Sequence, residues 1–214
     1  MQDYILLLVP VLLAYILGSV PIGVLVARLV SGVEVREIGS GKTGATNVYR
    51  ATGKWGAILT VLGDALKGIV SLWLARVFTA WLMPDTAAIW APWVETLAGI
   101  AAVTGHIWSV FLKFKGGAGT VITLGVLGAM NIWVFIAMVC VSLLVLAISR
   151  TASISSLTMA FVQGIALITF AALGFTPWAY VLFGFVGGAM TIYALRTNIW
   201  RLLKREERQL KSEY

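Results

Sequence analysis

Charged side chains are scarce in this 214-residue chain, at 12% of all residues, where a soluble domain carries roughly a quarter. Half of the usual polar coat is missing, which excludes an ordinary soluble globule. Cys140 is the only cysteine, so there is no intramolecular disulfide and no cysteine metal cluster. His106 is the only histidine, and no His/Asp/Glu cluster accompanies it to make a metal site. No Gly-x-Ser-x-Gly elbow is present to support a serine hydrolase. The His-x4-Asp pattern of many glycerolipid acyltransferases is absent too, because Phe111 stands five positions beyond His106. Long polar stretches are also lacking. The longest loop covers about residues 31–54, which leaves no room for a separate soluble domain, and 1–214 reads as one polytopic membrane domain. Met1-Gln2-Asp3 lacks a basic n-region, so Tyr4–Val30 reads as a retained span rather than a cleaved signal.

What is abundant is apolar surface: 60% hydrophobic residues and a mean hydropathy of +0.94. Apolar stretches long enough to cross a bilayer recur at Tyr4–Val30, Trp55–Met83, Ile89–Leu112, Ala152–Leu173 and Pro177–Leu195. As one helix, Thr120–Ile148 would run about 43 Å against a hydrocarbon thickness of about 30 Å. Gly125, Gly128 and Asn131 suggest a break within it, giving a short helix over 117–130 and a full span over 132–149. The expected fold is therefore all-α, with about seven transmembrane helices, one of them short.

The net charge of +7 would point to nucleic acid in a soluble protein. Here the bases sit in short loops beside apolar spans. With seven spans, all but Lys67 and Arg76 of the 16 basic residues fall on one side of the membrane. The positive-inside bias then puts the N-terminus outside and the C-terminus in the cytosol. The basic tail over 196–214, with interleaved leucines, reads as a helix end anchored to anionic headgroups. Trp81, Trp90 and Trp93 mark the outer interface, and Glu95 lies close enough to it to need no explanation.

Two polar clusters fall on the predicted cytosolic side. The first runs Gly39-Ser40-Gly41-Lys42-Thr43-Gly44-Ala45-Thr46-Asn47, followed by Arg50. Glycines at this density let successive N–H groups curl into an anion nest, and the hydroxyls and bases add donors and charge. A glycine-rich turn with no ligand is the plainer alternative. The Gly41-Lys42-Thr43 tripeptide is not a nucleotide P-loop, because Arg36 occupies the position of the leading glycine. The second cluster, about residues 113–119, includes Lys115-Gly116-Gly117-Ala118-Gly119. Asp64 and Lys67 share a helix face inside a span, where charges are paired or line a polar cavity. His106 is either a packing histidine or part of a site.

These blocks resemble the bacterial acyl-phosphate:glycerol-3-phosphate acyltransferase family. The likeness runs through Leu17-Gly18-Ser19-Val20-Pro21-Ile22-Gly23, Ile38-Gly39-Ser40-Gly41 and Gly44-Ala45-Thr46-Asn47-Val48. It continues at Asp64-Ala65-Leu66-Lys67-Gly68, Gly105-His106, Phe114-Lys115-Gly116-Gly117 and Arg196-Thr197-Asn198-Ile199. The resemblance implies a multi-pass enzyme of the bacterial inner membrane that works on its cytosolic face, without cofactor. It would transfer a fatty acyl group from acyl phosphate to glycerol 3-phosphate, giving lysophosphatidic acid for phospholipid synthesis. It assigns Ser40, Arg50 and Asn198 to catalysis. Gly41, Lys42, Gly44, Thr46, Asn47, Lys115, Gly116 and Gly117 would bind substrate or phosphate. Asp64, Lys67, His106 and Arg196 would support them. The partners implied are the two substrates and membrane lipids, not nucleic acid, and the oligomeric state is left open.

The chain departs from the family pattern at three positions: Lys42 replaces asparagine, Ala118 a lysine and Leu195 a histidine. Losing a lysine at a phosphate site costs on the order of a few kcal/mol; Lys42 is the candidate to restore that charge. Two other functions compete with the enzyme. One is a degenerate paralogue that binds a phosphorylated lipid or metabolite. The other is a small transporter, disfavoured because no internal repeat is present and the polar clusters gather on one face.

Overall fold

The computed structural model describes residues 6–209, and among them the chain is helical without strands. Tyr4, where the first span was expected to begin, and Lys211 of the tail lie outside the described residues. The helices are α1 (Leu8–Ser19), α2 (Ile22–Ser31), α3 (Ala45–Leu82), α4 (Ala87–Ile107) and α5 (Thr120–Met130). After these come α6 (Ile132–Ser149), α7 (Ala152–Ala172), α8 (Ala179–Ala194) and α9 (Arg196–Leu203).

The first expected span is one 24-residue crossing built from α1 and α2. Pro21 interrupts it, because the residue before a proline is pushed out of the helical region, and Val20 is extended at φ −56°, ψ 119°. The second span starts ten residues earlier than its apolar run, at Ala45. A short amphipathic segment precedes Gly53, whose φ of 77° bends the chain in a way that favours glycine. The break inside 120–148 falls at Asn131, as the sequence suggested. Its side chain caps α6 by accepting from Trp133 N and Val134 N at 2.8 and 3.1 Å. Five segments are long and apolar enough to cross a membrane alone; α8 joins them if α9, bent from it by 61°, is counted in the same span. The short α5 is the remaining apolar helix.

Large side chains such as Leu66, Phe161 and Ile165 face outward, while the buried core includes Leu72, Val103, Ile122, Met159 and Phe183. Only a hydrocarbon solvent rewards that arrangement of a helical bundle. Close packing rests on small residues. A Cβ on Gly18 would lie 2.1 Å from the carbonyl oxygen of Ala102, and one on Gly125 equally close to that of Ala65. Thus α1 is pressed on α4, and α3 on α5.

Glu95, whose position near the outer interface called for no explanation in the sequence, has a structural role. It is 2% exposed and receives Arg76 at 2.9 and 2.6 Å, with the Tyr180 hydroxyl donating at 2.7 Å. Buried carboxylates are tolerated only when so paired, and this one ties α3, α4 and α8 together. The pairing joins residues far apart in sequence, which no local pattern reveals.

Candidate active site

At the opposite end of the bundle, the loop over 32–44, the loop over 108–119 and the start of α9 converge. Leu112 packs into a small apolar cluster with Val24, Ala27, Val35 and Val48, which fixes the second loop against the first. Lys42 extends from the first loop and its Nζ donates to the Ala194 carbonyl at the end of α8. These contacts bring together three segments that lie far apart in the sequence.

The first loop is built around Asn47, which is buried at the start of α3. Its Nδ2 donates to the carbonyls of Val35, Ile38 and Lys42 at 3.2, 2.6 and 2.9 Å. Its Oδ1 accepts from Ser40 N at 3.1 Å and from Arg50 Nη1 at 3.4 Å. The Asn47 amide is therefore engaged in holding the loop. Gly39 and Gly41 both take left-handed φ, 53° and 74°, on either side of Ser40, and the loop spends the amides of Ser40 and Gly41 on Asn47 Oδ1 and the Ile38 carbonyl, which leaves the Ser40 hydroxyl as its donor to a ligand. Gly44 and Thr46 open α3, which begins without a side-chain cap; Asn47 N and Val48 N turn back to the Gly44 carbonyl, which leaves the N–H groups of Ala45 and Thr46 to an anion. Glu34 steadies the loop entrance between Arg28 and Arg36 at 2.7 and 2.8 Å. Hydrogen bonding from Arg36 holds its carboxyl down at about 2. Burial, reinforced by Arg196 and Arg201, lowers the Lys42 ammonium to about 8.

The second loop is recessed. With its 11 residues, α5 spans about 16 Å, so it covers only about half of the apolar thickness and Gly119 begins it well inside the bundle. Gly116 N and Gly117 N donate to the carbonyls of Ile107 and His106, each at 3.0 Å. A side chain cannot fit there, because a Cβ on Gly117 would sit 2.1 Å from His106 Nε2. Lys115 lies exposed at the mouth of this turn, and Ala118 carries no charge to replace it. The N-terminus of α5 has no side-chain cap, and the buried Thr120 hydroxyl has no partner.

Beneath the turn, Asp64, Lys67 and His106 form one buried cluster. Lys67 Nζ lies 2.9 Å from Asp64 Oδ1, 2.9 Å from His106 Nδ1 and 2.9 Å from the Val20 carbonyl. An ammonium has only donors, so Nδ1 accepts and the imidazole proton sits on Nε2. The carbonyl that Lys67 reaches is the one exposed by the break at Pro21. A narrow crevice lined by Ser19, Pro21, Thr43, Asp64, Lys67 and His106 joins this cluster to the first loop.

Of the site residues expected from sequence, Ser40, Arg50 and Asn47 are thus joined, as are Lys42 and the region of Asn198. Asp64, Lys67, His106 and Gly117 form a second group. Arg196 stacks over the Tyr193 ring at 4.4 Å, and its charge reaches Lys42. Leu195 is buried and offers no polar group. The sequence reading missed Glu207, which accepts from Asn198, and Ser153, which also donates to Glu207, and the buried hydroxyls of Ser19 and Thr120. Only Ser19 and Thr120 stood inside recognisable motifs. Glu207 lies in the basic tail, outside every motif singled out in the sequence. Among the described residues, no group of three or more His, Cys, Asp or Glu could hold a metal ion.

Comparison with known proteins places the chain in a family. The sequence profile of the glycerol-3-phosphate acyltransferase family matches residues 8–205. The chain is 43% identical over 205 residues to glycerol-3-phosphate acyltransferase of Nostoc sp. (strain PCC 7120 / SAG 25.82 / UTEX 2576), covering 92% of this chain and 88% of that protein. It is 40% identical to the Desulforudis audaxviator (strain MP104C) protein of the same name over 91% of both chains. Its fold is similar to the crystal structure of PlsY (YgiH), an integral membrane glycerol 3-phosphate acyltransferase, in its glycerol 3-phosphate form. That match has a TM-score of 0.81 and 34% identity over 95% of this chain and 94% of the other. The lysophosphatidic acid form of PlsY matches with a TM-score of 0.79.

Proposed function

Because this chain belongs to the glycerol-3-phosphate acyltransferase family, we propose that it moves a fatty acyl group from acyl phosphate to glycerol 3-phosphate at the site where its two loops meet. It is a multi-pass membrane acyltransferase, and glycerol 3-phosphate is its acceptor. The proposal concerns the donor, the residues and the topology. In this reading residues 1–214 form one membrane domain of seven crossings, N-terminus outside, in the bacterial inner membrane. The loops and the basic tail face the cytosol, as the positive-inside bias favours.

The observation that carries the assignment is the pairing, at one end of the bundle, of two glycine-rich turns that each lead into a helix start without a side-chain cap and carry basic side chains. Two phosphate-bearing substrates need two such places. Ser40, Gly41, Gly44, Thr46, Lys42 and Arg50 hold the phosphate of the acceptor, and Asn198 its hydroxyl end. The Lys115-Gly116-Gly117 turn and the open N-terminus of α5 hold the acyl phosphate, with the Thr120 hydroxyl as a further donor. Asn47 acts through the loop it organises, and Asp64, Lys67 and His106 hold the turn from below.

The chemistry needs no side-chain nucleophile. The acceptor hydroxyl attacks the acyl carbonyl, the bond from the carbonyl carbon to the phosphate oxygen breaks, and the hydroxyl proton leaves with the released phosphate. What the protein supplies is alignment of the hydroxyl with the carbonyl and N–H donors where negative charge develops.

Purified protein in detergent, given palmitoyl phosphate and labelled glycerol 3-phosphate, tests the reading. Lysophosphatidate formation that drops by about 100-fold or more in Ser40→Ala and Arg50→Ala supports it. Unchanged rates in both variants contradict the placement of the acceptor phosphate. Failure of the wild type to release phosphate from acyl phosphate points to a degenerate member of the family.

A further inference from the structure

Glu207 sits in the basic tail, yet its carboxylate turns inward. Its Oε1 accepts from Asn198 Nδ2 at 2.8 Å and from the Ser153 hydroxyl at 3.0 Å. The same bond orients the Asn198 amide, since the nitrogen must face Glu207 and the carbonyl oxygen must face away. Two acceptors are left over: Asn198 Oδ1 and Glu207 Oε2 are both buried and both without a partner. Asn198 as a whole is only 7% exposed. Buried acceptors without a donor are costly, and each calls for an explanation. Here two occur in one short hydrogen-bonded chain.

We propose that Glu207 and Asn198 form a hydroxyl-reading subsite, in which Asn198 Oδ1 and Glu207 Oε2 receive the hydroxyl groups of the acceptor substrate; this rests on the glycerol 3-phosphate reading above. The vacant atoms can be satisfied only by a proton donor. A phosphate dianion has none, so this corner rejects the charged end of the substrate and accepts its polyol end. Lys42 is close enough to feel the charges of Arg196, Arg201 and Glu207, so cations and the carboxylate occupy neighbouring positions. A molecule with an anion at one end and hydroxyls at the other matches that polarity. Ser153 and the start of α7 then serve as the support that keeps the carboxylate in place. Glu207 thereby sets specificity for a polyol phosphate over a phosphate ester with fewer hydroxyls.

A site built to hydrogen-bond a hydroxyl discriminates strongly against an analogue that lacks it. The test compares glycerol 3-phosphate with 3-hydroxypropyl phosphate, which keeps the primary hydroxyl but lacks the middle one. Wild-type kcat/KM should favour glycerol 3-phosphate by about 100-fold, the discrimination expected when a buried acceptor loses its donor. Glu207→Gln keeps the Oε1 acceptor and replaces Oε2 with a donor, so the preference should fall to about tenfold or less, mainly through glycerol 3-phosphate. Lys42→Ala should weaken both acceptors alike. An unchanged preference in Glu207→Gln overturns the proposal. Calorimetric binding of the two acceptors to the wild type gives the same ratio without acyl transfer or a variant, and equal affinities there also overturn it. Absence of acyl transfer alongside a strong binding preference would count against the proposed reaction and leave the subsite supported.

Discussion

Replacing Gly117 with alanine probes the recessed turn through one methyl group. The backbone accepts alanine, because Gly117 is not among the residues with left-handed φ. The obstacle is the His106 ring, with Nε2 only 2.1 Å from where the Cβ would stand. An ordinary contact needs about 3.4 Å, so something must move by roughly 1.3 Å. The ring cannot yield alone: Lys67 holds Nδ1 at 2.9 Å and is itself held by Asp64 and the Val20 carbonyl. The turn is pinned by two amide bonds of 3.0 Å to the end of α4. If the turn moves, a displacement of about 1 Å at a reacting centre costs about 100-fold in rate. If the ring moves, the overpacked cluster loses about 1–3 kcal/mol of stability. The assay is kcat/KM for palmitoyl phosphate together with the melting temperature in detergent. Gly128→Ala is the control, because its Cβ meets only the Phe135 ring at 3.5 Å and helical alanine is favoured over glycine by about 0.5–1 kcal/mol. A Gly117→Ala enzyme with kcat/KM within about threefold of wild type and an unchanged melting temperature would refute the reasoning.

Other consequences follow from the charged groups. Burial lowers the Lys42 ammonium to about 8, and Lys42 binds an anion only when protonated, so KM for glycerol 3-phosphate should rise as pH passes through that value. Lys42→Arg, measured over the same pH series, should remove the rise; a rise that persists there assigns it to another group. Asp64→Asn leaves the Lys67 ammonium buried without its carboxylate, with a cost of about 3–5 kcal/mol in thermal unfolding. The double variant Asp64→Asn, Lys67→Met should recover part of that loss, and strict additivity would argue against the pairing. Arg76→Met strands the Glu95 carboxylate at the far end and should destabilise by about 2 kcal/mol, less than a fully buried pair because Arg76 is half exposed. Its activity per folded molecule should match wild type, and a selective loss of activity would contradict a structural role.

The all-helical membrane fold, the short α5 and the break at Asn131 were legible in the sequence because the bilayer imposes a length on every crossing. The early start of α3 was not, since residues 45–52 carry no continuous apolar run and only Gly53 reveals the bend. The glycine loops were legible because their residue types are unusual for a membrane chain. Their meeting was not: Lys42 reaching Ala194, and Leu112 joining Val35 and Val48, are contacts set by bundle packing. Asn47 appeared to be a ligand from its neighbours, yet its amide is engaged by the loop itself. Glu95 and Glu207 were overlooked for a common reason. An acid near a helix end looks solvated until tertiary structure supplies Arg76 and Tyr180, or Ser153 and Asn198.

The most direct test is acyl transfer by purified wild-type protein, with palmitoyl phosphate and palmitoyl-coenzyme A offered separately as donors to labelled glycerol 3-phosphate. The account predicts lysophosphatidate and free phosphate in equal amounts from the acyl phosphate, and no product from the thioester. Folded protein that uses only the thioester, or that yields no lysophosphatidate from acyl phosphate, would contradict it.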